Sequence, residues 1–110
     1  MDCEGRRWAV RDRYGNEINL TEERWRHIGE PTNHPEMSAY EEHLNETIQR
    51  GERKQDLLNP RKYRYTRAFA DLAEDNTHIV AIVLFRFRVS ETGETTPSNY
   101  IVTVYQKESR

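Results

Sequence analysis

The spacing of apolar residues changes along the chain, and each spacing predicts a different kind of element. Near the start, residues 6–11 and 17–20 favour extended backbone and flank the tripeptide Tyr14-Gly15-Asn16. Glycine and asparagine tolerate the positive φ angles that a tight turn requires. The pattern therefore predicts a β-hairpin over about residues 6–20.

A short helix is predicted directly after this hairpin. Thr21 is a favourable N-cap, and Trp25 and Ile28 lie three positions apart, on one face of the helix. Gly29 and then Pro31 end the pattern. We expect Trp25 to pack between this helix and the sheet.

A second helix is predicted from Ser38 to Arg50, so that the helical region covers about residues 22–50. Its apolar residues are spaced three, four and four positions apart, as expected for one buried helical face. They are Met37, Tyr40, Leu44 and Ile48.

The C-terminal half reads as strands over about residues 54–107. Leu57-Leu58 is a short candidate strand, and residues 63–69 alternate between aromatic and polar positions. Residues 78–89 form the strongest candidate, and Ile79–Phe85 should be central because it is apolar on both faces. Residues 90–98 read as a polar loop, and residues 100–106 as the closing strand. A hairpin, two helices and an antiparallel meander together predict an α+β fold.

Composition narrows the class of protein. A chain of 110 residues with 35% hydrophobic and 33% charged residues predicts a single domain, residues 1–110, with a small core. The longest apolar run, Ile79–Phe85, is too short to span a membrane, and the first residues lack the apolar region of a secretory signal. The single cysteine, Cys3, excludes an internal disulfide. We therefore expect a cytoplasmic protein without a membrane partner.

Charge is unevenly distributed although the net charge is only −2. Residues 22–49 carry seven acidic and two basic side chains, whereas residues 50–67 carry seven basic and two acidic ones. Arginine outnumbers lysine fourteen to three, and its planar fork suits phosphate and carboxylate groups. The pattern fits a dipolar surface with internal salt bridges or a local binding site for an anion.

The sequence lacks the common motifs of metal and nucleotide sites. It contains neither HExxH, nor a cysteine pair, nor a glycine-rich phosphate loop, so neither a metal nor another cofactor is predicted. The remaining histidine, arginine, tyrosine and threonine side chains suit metal-independent RNA cleavage, which needs proton exchange and cations around the phosphate. The candidates for these roles are His27, His34, Arg64, Arg67, Arg86, Arg88, Tyr65 and Tyr105. Each also has a purely structural interpretation, such as a helix-end histidine or a solvated strand arginine.

One segment resembles a known family as a whole. Residues 15–36, GNEINLTEERWRHIGEPTNHPE, are similar to the I-x-L-T-x-E-R-W-x-H-I … H-P-E opening of small phage- and plasmid-associated domains. These domains belong to the barnase–EndoU–colicin–RelE-like nuclease superfamily, and a looser resemblance extends over residues 7–107. It implies helices packed on a four-stranded antiparallel sheet, with metal-independent RNA cleavage on the open face of that sheet.

The resemblance also implies positions for the site. The implied catalytic residues are His27, His34, Arg64, Arg67, Thr103 and Tyr105, and the substrate-binding candidates are Lys62, Tyr65, Arg86 and Arg88. His27 lies in the part of the segment that matches the family pattern best.

Two functions from different classes follow. The first is a metal-independent RNA endonuclease, toxin-like or phage-related, that binds RNA through residues 50–67. The second is a catalytically inactive interaction module, whose acidic helix and arginine-rich strands bind a protein partner such as an antitoxin, or a second copy. A toxin-like fold whose acidic helix mimics RNA or masks the protein's own site is a third interpretation. Convergence of the candidate side chains in one cleft favours the enzyme, and their dispersal favours the module.

Overall fold

The computed structural model describes residues 5–109, so Cys3 lies outside the described part of the chain. The described residues form two α-helices, one 3-10 helix and eight strands. In chain order these are β1 (Arg6–Arg11), β2 (Glu17–Thr21), α1 (Glu22–Ile28), the 3-10 helix (Pro35–Ala39), α2 (Glu41–Arg50), β3 (Glu52–Gln55), β4 (Lys62–Ala68), β5 (His78–Leu84), β6 (Phe87–Val89), β7 (Thr95–Pro97) and β8 (Asn99–Lys107). No described helix has the length and apolar character needed to cross a membrane.

Six of the strands form one mixed sheet in the order β1-β2-β8-β5-β4-β3. The α+β class is confirmed, but the expectation of a four-stranded antiparallel sheet is wrong. The N-terminal hairpin joins the sheet because β2 runs parallel to the start of β8, where Ile18 pairs with Asn99 and Asn19 with Tyr100. The other pairings within this sheet are antiparallel.

The central position predicted for the apolar run is confirmed. β5 lies between β8 and β4, and its residues Ile79 to Ala81 are 0% exposed. The single strand predicted over residues 78–89 is wrong, because β5 ends at Leu84. After that point β6 pairs with β7 in a separate two-stranded ribbon, which includes part of the predicted polar loop.

Both helices pack on one face of the six-stranded sheet. Their buried side chains Ile28, Leu44 and Ile48, together with Met37 of the 3-10 helix, share one apolar cluster with Tyr65 of β4. Trp25 packs against the edge of this cluster and remains partly exposed, so Ile28 is the fully buried residue of α1. The opposite face of the sheet carries no helix within the described residues.

Local turn chemistry explains two further differences from the predicted elements. The predicted second helix is divided into the 3-10 helix and α2, which begins only at Glu41. Leu57 and Leu58 form a loop instead of a strand, because the Asp56 carboxylate accepts hydrogen bonds from the backbone N–H groups of Leu58 (2.7 Å) and Asn59 (2.9 Å).

Candidate functional site

The open face of the sheet carries rows of polar side chains that strand alternation places together. Lys54, Arg64, Ile82 and Thr103 pair in register across β3, β4, β5 and β8. Neighbouring strands in a sheet lie about 4.8 Å apart, so these four side chains form one continuous row. Tyr105 pairs with Val80 and extends the same face toward the end of β8.

A groove of about 610 Å³ lies over this row and is called the strand groove. Its wall and floor combine cationic, hydroxyl and apolar side chains. The lining residues are Lys54, Gln55, Asp56, Leu57, Leu58, Lys62, Tyr63, Arg64, Ile82, Val102, Thr103 and Tyr105. Three cations and one carboxylate therefore line the strand groove, which also has a substantial apolar surface.

Asp56 is the carboxylate of the strand groove, and the loop between β3 and β4 favours its ionised form. Backbone hydrogen bonds from Leu58 and Asn59, and then the positive charges of Lys62 and Arg64, hold the pKa of Asp56 below its ordinary value. Because the Asp56 carboxylate accepts these backbone hydrogen bonds, it fixes the loop that carries Leu57 at the rim of the groove. Lys62 and Arg64 of β4 are then left to bind an anion.

His34 approaches the same face from the segment after α1. Its backbone N–H donates to the carbonyl of Ile28 at 2.9 Å, which fixes the segment beside β8. The His34 ring lies 5.9 Å from the Tyr105 ring, measured between centroids. Nδ1 of His34 is 3.4 Å from Oε2 of Glu36, so Nε2 is the ring nitrogen that remains for proton exchange. The structure thus brings His34 next to Tyr105, with Arg64 and Thr103 on the same sheet face.

A second groove lies at the β1–β2 end of the sheet, where the open face meets the first turn of α1, and is called the arginine groove. It has a volume of about 390 Å³ and again contains three cations and one carboxylate. Its lining residues are Arg6, Asn19, Thr21, Glu23, Arg24, Arg88, Ser98 and Tyr100. Only Arg88 of these was a candidate from the sequence, because the groove is assembled from segments distant in the chain.

Asn19, which lines the arginine groove, has an unpaired buried polar atom. Oδ1 of Asn19 is buried and has no hydrogen-bond partner within residues 5–109, whereas Nδ2 of Asn19 donates to the carbonyl of Asn99 at 3.1 Å. An unpaired buried acceptor of this kind costs about 1–3 kcal/mol. Asn19, which lines the arginine groove, therefore carries a buried acceptor whose missing partner lowers the stability of the fold.

Three sequence-predicted site residues lie away from both grooves on the helix side of the molecule. His27 is on the outer surface of α1, with its side chain 56% exposed and Nδ1 3.1 Å from Oε1 of Glu30. Nε of Arg67 lies 2.9 Å from Oε2 of Glu46 on α2. Tyr65 is fully buried and donates its hydroxyl proton to Asp12, so it is a core residue and has no surface for stacking a base.

Arg86 is exposed at the base of the β6–β7 ribbon. Its carbonyl accepts a hydrogen bond from the backbone N–H of Ser98 at 2.7 Å, which closes the ribbon where it leaves the sheet. Arg86 lines neither groove, so of the two ribbon arginines Arg88 is the one that the structure associates with a groove.

Part of the acidic block predicted on α2 is neutralised within the fold. The Glu41 carboxylate accepts hydrogen bonds from the Arg7 guanidinium, with Nη2 at 2.9 Å, and from Nε1 of Trp8 at 2.7 Å. The Arg7 hydrogen bond, and secondarily that of Trp8, lowers the pKa of Glu41 from its ordinary value. The sequence blocks of opposite charge thus become a helix layer with internal ion pairs and an open face with grooves rich in cations.

One histidine–carboxylate pair was not singled out from the sequence. Nε2 of His43 lies 2.9 Å from Oδ2 of Asp71, and this hydrogen bond lowers the pKa of Asp71. The imidazole ring is held between Tyr40 and Phe69, with ring centroids 5.1 and 4.9 Å away. The pair joins α2 to the loop after β4, on the side of the sheet opposite the grooves.

Neither a metal site nor a comparison with known proteins assigns a role to these residues. Across residues 5–109, no group of three histidine, cysteine, aspartate or glutamate side chains is arranged to hold a metal ion. No family model, curated protein or solved structure matches the chain.

Proposed function

We propose that this protein is a metal-independent RNA endonuclease that acts on the open face of its sheet. The observation that carries the proposal is that Arg64, Thr103 and Tyr105 line one groove and that the His34 ring lies 5.9 Å from the Tyr105 ring, although the four residues come from three separate segments. The groove over this face provides cations for a phosphate and apolar surface for a base.

The chemistry that suits these groups is attack by the ribose 2′-oxygen on the adjacent phosphorus. Nε2 of His34 takes the proton of the 2′-hydroxyl, the bond from the 2′-oxygen to phosphorus forms, and the bond to the 5′-oxygen breaks. The Tyr105 hydroxyl gives its proton to the leaving 5′-oxygen. Arg64 and Lys62 stabilise the negative charge that accumulates on the phosphorane. The products are a 2′,3′-cyclic phosphate and a 5′-hydroxyl end.

The net charge of −2 fits a local interaction better than broad attraction to nucleic acid. Nonspecific affinity for RNA increases with the number of phosphates that a protein neutralises. Here six cations line the two grooves, and Glu41 and Glu46 of the helix layer are already paired with arginine. Binding is therefore expected to be weak, dependent on salt and confined to the open face.

The direct test is incubation of labelled single-stranded RNA with purified protein in excess EDTA. The parent protein should produce 2′,3′-cyclic phosphate ends, and His34→Gln should slow cleavage about 100-fold or more, because it removes the proton acceptor. Arg64→Ala should also slow cleavage, and the slower rate should persist at saturating RNA.

The matched control is His27→Gln, since it makes the same chemical change on the outer side of α1. It should leave the rate unchanged. Failure of the folded parent protein to cleave RNA, or equal rates for the two histidine variants, would refute the proposed site. Far-ultraviolet circular dichroism of each variant establishes that it is folded.

A second candidate function, self-association through the leucine loop, is favoured by a different observation. Leu57 and Leu58 are 96% and 95% exposed at a loop fixed by hydrogen bonds, which is unusual for large apolar side chains. Of the three glutamates that line a groove on the helix layer, Glu41 and Glu46 are already paired with arginine, so the two leucines and not charge would hold the copies together. Sedimentation equilibrium tests this candidate: the parent should dimerise and Leu57→Ser/Leu58→Ser should remain monomeric, whereas a monomeric parent at all concentrations argues against it.

A further inference from the structure

We propose that the arginine groove is a second phosphate-binding subsite for RNA. While one phosphodiester group of the strand is cleaved in the strand groove, the arginine groove holds another phosphodiester group further along the same strand. The proposal rests on the proposed function and extends it, because it assigns a ligand to residues outside the cleavage site. The ligand class is single-stranded RNA that is long enough to reach both grooves.

The first support is that two arginines of the arginine groove have no ion-pair partner among the described residues. Arg6 of β1 and Arg24 of α1 both line the groove, and neither guanidinium has an ion-pair partner among the described residues. Arg7, the immediate neighbour of Arg6, is instead bound to two glutamates. Of two adjacent arginines, one therefore stabilises the helix layer and the other faces the groove, where its forked guanidinium suits a phosphate.

The second support is the placement of the groove on the open face. Asn19 pairs with Tyr100, and Tyr100 pairs with Leu84 across the β8–β5 boundary, so these side chains lie on the same face as Lys62 and Arg64. A strand of RNA that lies across the open face therefore meets both grooves without crossing an edge of the sheet.

The third support is the distance between the grooves. Arg6 is on β1 and Arg64 is on β4, which are separated by four strand spacings, or about 19 Å. At the rise of about 3.4 Å per nucleotide of a stacked strand, about six nucleotides cover this distance. A tetranucleotide is then too short when stacked, whereas a dodecanucleotide spans both grooves.

The experiment measures binding separately from cleavage. The probes are fluorescein-labelled 2′-O-methyl oligouridines of four and twelve nucleotides, which cannot be cleaved by 2′-oxygen attack because the nucleophile is blocked. Fluorescence anisotropy in EDTA gives the dissociation constants over a range of salt concentrations. The variants are Arg6→Ala/Arg24→Ala, Arg24→Lys, and Arg26→Ala as the matched control, since Arg26 lies on the same helix but lines a different groove.

The parent should bind the dodecamer at least about tenfold more tightly than the tetramer. The double variant should lose most of this difference and leave tetramer binding unchanged, and the slope of log affinity against log salt should become shallower by about 1.4, which corresponds to two phosphates. Arg24→Lys should retain part of the dodecamer affinity, because it keeps the charge but loses the fork. Arg26→Ala should behave as the parent.

Two results would overturn the subsite. One is equal affinity of the parent for the tetramer and the dodecamer. The other is an equal loss of dodecamer binding in Arg6→Ala/Arg24→Ala and in Arg26→Ala. A polyglutamate peptide that competes with the dodecamer at equal charge and depends equally on Arg24 would assign the groove to an acidic protein segment instead. Absence of cleavage with length-dependent binding retained would refute the endonuclease and leave this subsite supported, so the two failures are distinguishable.

Discussion

Replacement of Tyr65 by phenylalanine tests how the core of this sheet is stabilised. Tyr65 is 0% exposed, and its hydroxyl donates to the Asp12 carboxylate, which is itself buried. That carboxylate also accepts hydrogen bonds from the backbone N–H groups of Tyr14 (2.9 Å) and Asn16 (2.8 Å) and lies 3.9 Å from the Arg53 guanidinium. Tyr65→Phe removes one donor from a buried charge and leaves the packing volume almost unchanged.

A hydrogen bond to a charged group contributes about 1.5–3 kcal/mol, so Tyr65→Phe should lower the free energy of unfolding by that amount at pH 7. Urea unfolding monitored by the fluorescence of Trp8 and Trp25 measures it. The control is Tyr63→Phe on the same strand and face, since the structure describes no hydrogen bond of the Tyr63 hydroxyl within residues 5–109. This control should change stability by less than about 0.5 kcal/mol.

The same variant makes a prediction about alkaline pH. Burial, and then the hydrogen bond to Asp12, raises the pKa of Tyr65 above its ordinary value, although nearby Arg53 opposes the shift. The neutral phenol therefore stabilises the fold fully below pH 10, and this contribution is lost as the pH rises, because the unfolded chain ionises first. The difference between the parent and Tyr65→Phe should shrink by about 1.4 kcal/mol at pH 11 relative to pH 7. A difference at pH 7 below 0.5 kcal/mol, or one that does not change up to pH 11, would refute the reasoning.

Two further predictions concern stability. Gly51→Ala should destabilise the fold by about 1–3 kcal/mol, because the new methyl group would overlap backbone oxygens of α2 and β4. In Gly29→Ala the nearest atoms to the new methyl group are 3.7 Å away, so this control should cost little beyond its effect on the turn. Thermal melts measure both variants, and equal melting temperatures would contradict the prediction. Glu41→Gln should lower the free energy of unfolding by about 1–2 kcal/mol at pH 7. The difference from the parent should shrink as the pH falls below the ordinary carboxyl pKa of 4.5, because Glu41 stabilises the fold only while it is ionised. Urea midpoints at pH 7 and pH 3 measure this difference, and a difference that does not depend on pH would refute the prediction.

Strong local signals made much of the fold predictable from the sequence. The turn at Gly15 and the run Ile79–Phe85 are continuous in the chain, and both specify their elements directly. The parallel pairing of β2 with β8 has no such signal, since it involves only two residue pairs. It is fixed by side-chain hydrogen bonds of Asn19 and Asn99 to backbone carbonyls of the opposite strand, which sequence patterns do not reveal.

The candidate site was predictable where strand alternation decides the outcome. Alternation separates Arg64 from Tyr65 and Arg67 in β4, but the sequence does not show which of the two faces the helices cover. Arg67 and Tyr65 were therefore chosen together with Arg64, and the structure places them on the helix side. The arginine groove was not predicted, because it is assembled from strands and a helix that are far apart in sequence.

The central position of β8 has a consequence for how the protein is made. β8 is synthesised after the other strands of the described sheet, yet it lies between β2 and β5, and Asn99 is 80 residues from the asparagine of β2 that it binds. The N-terminal hairpin can form early but cannot join the sheet until β8 has left the ribosome, so we expect folding to be late and limited by long-range pairing. A chain that stalls before residue 99 leaves the facing edges of β2 and β5 unpaired. Such a fragment exposes strand edges that recruit other chains, so synthesis through β8 is a requirement for avoiding aggregation.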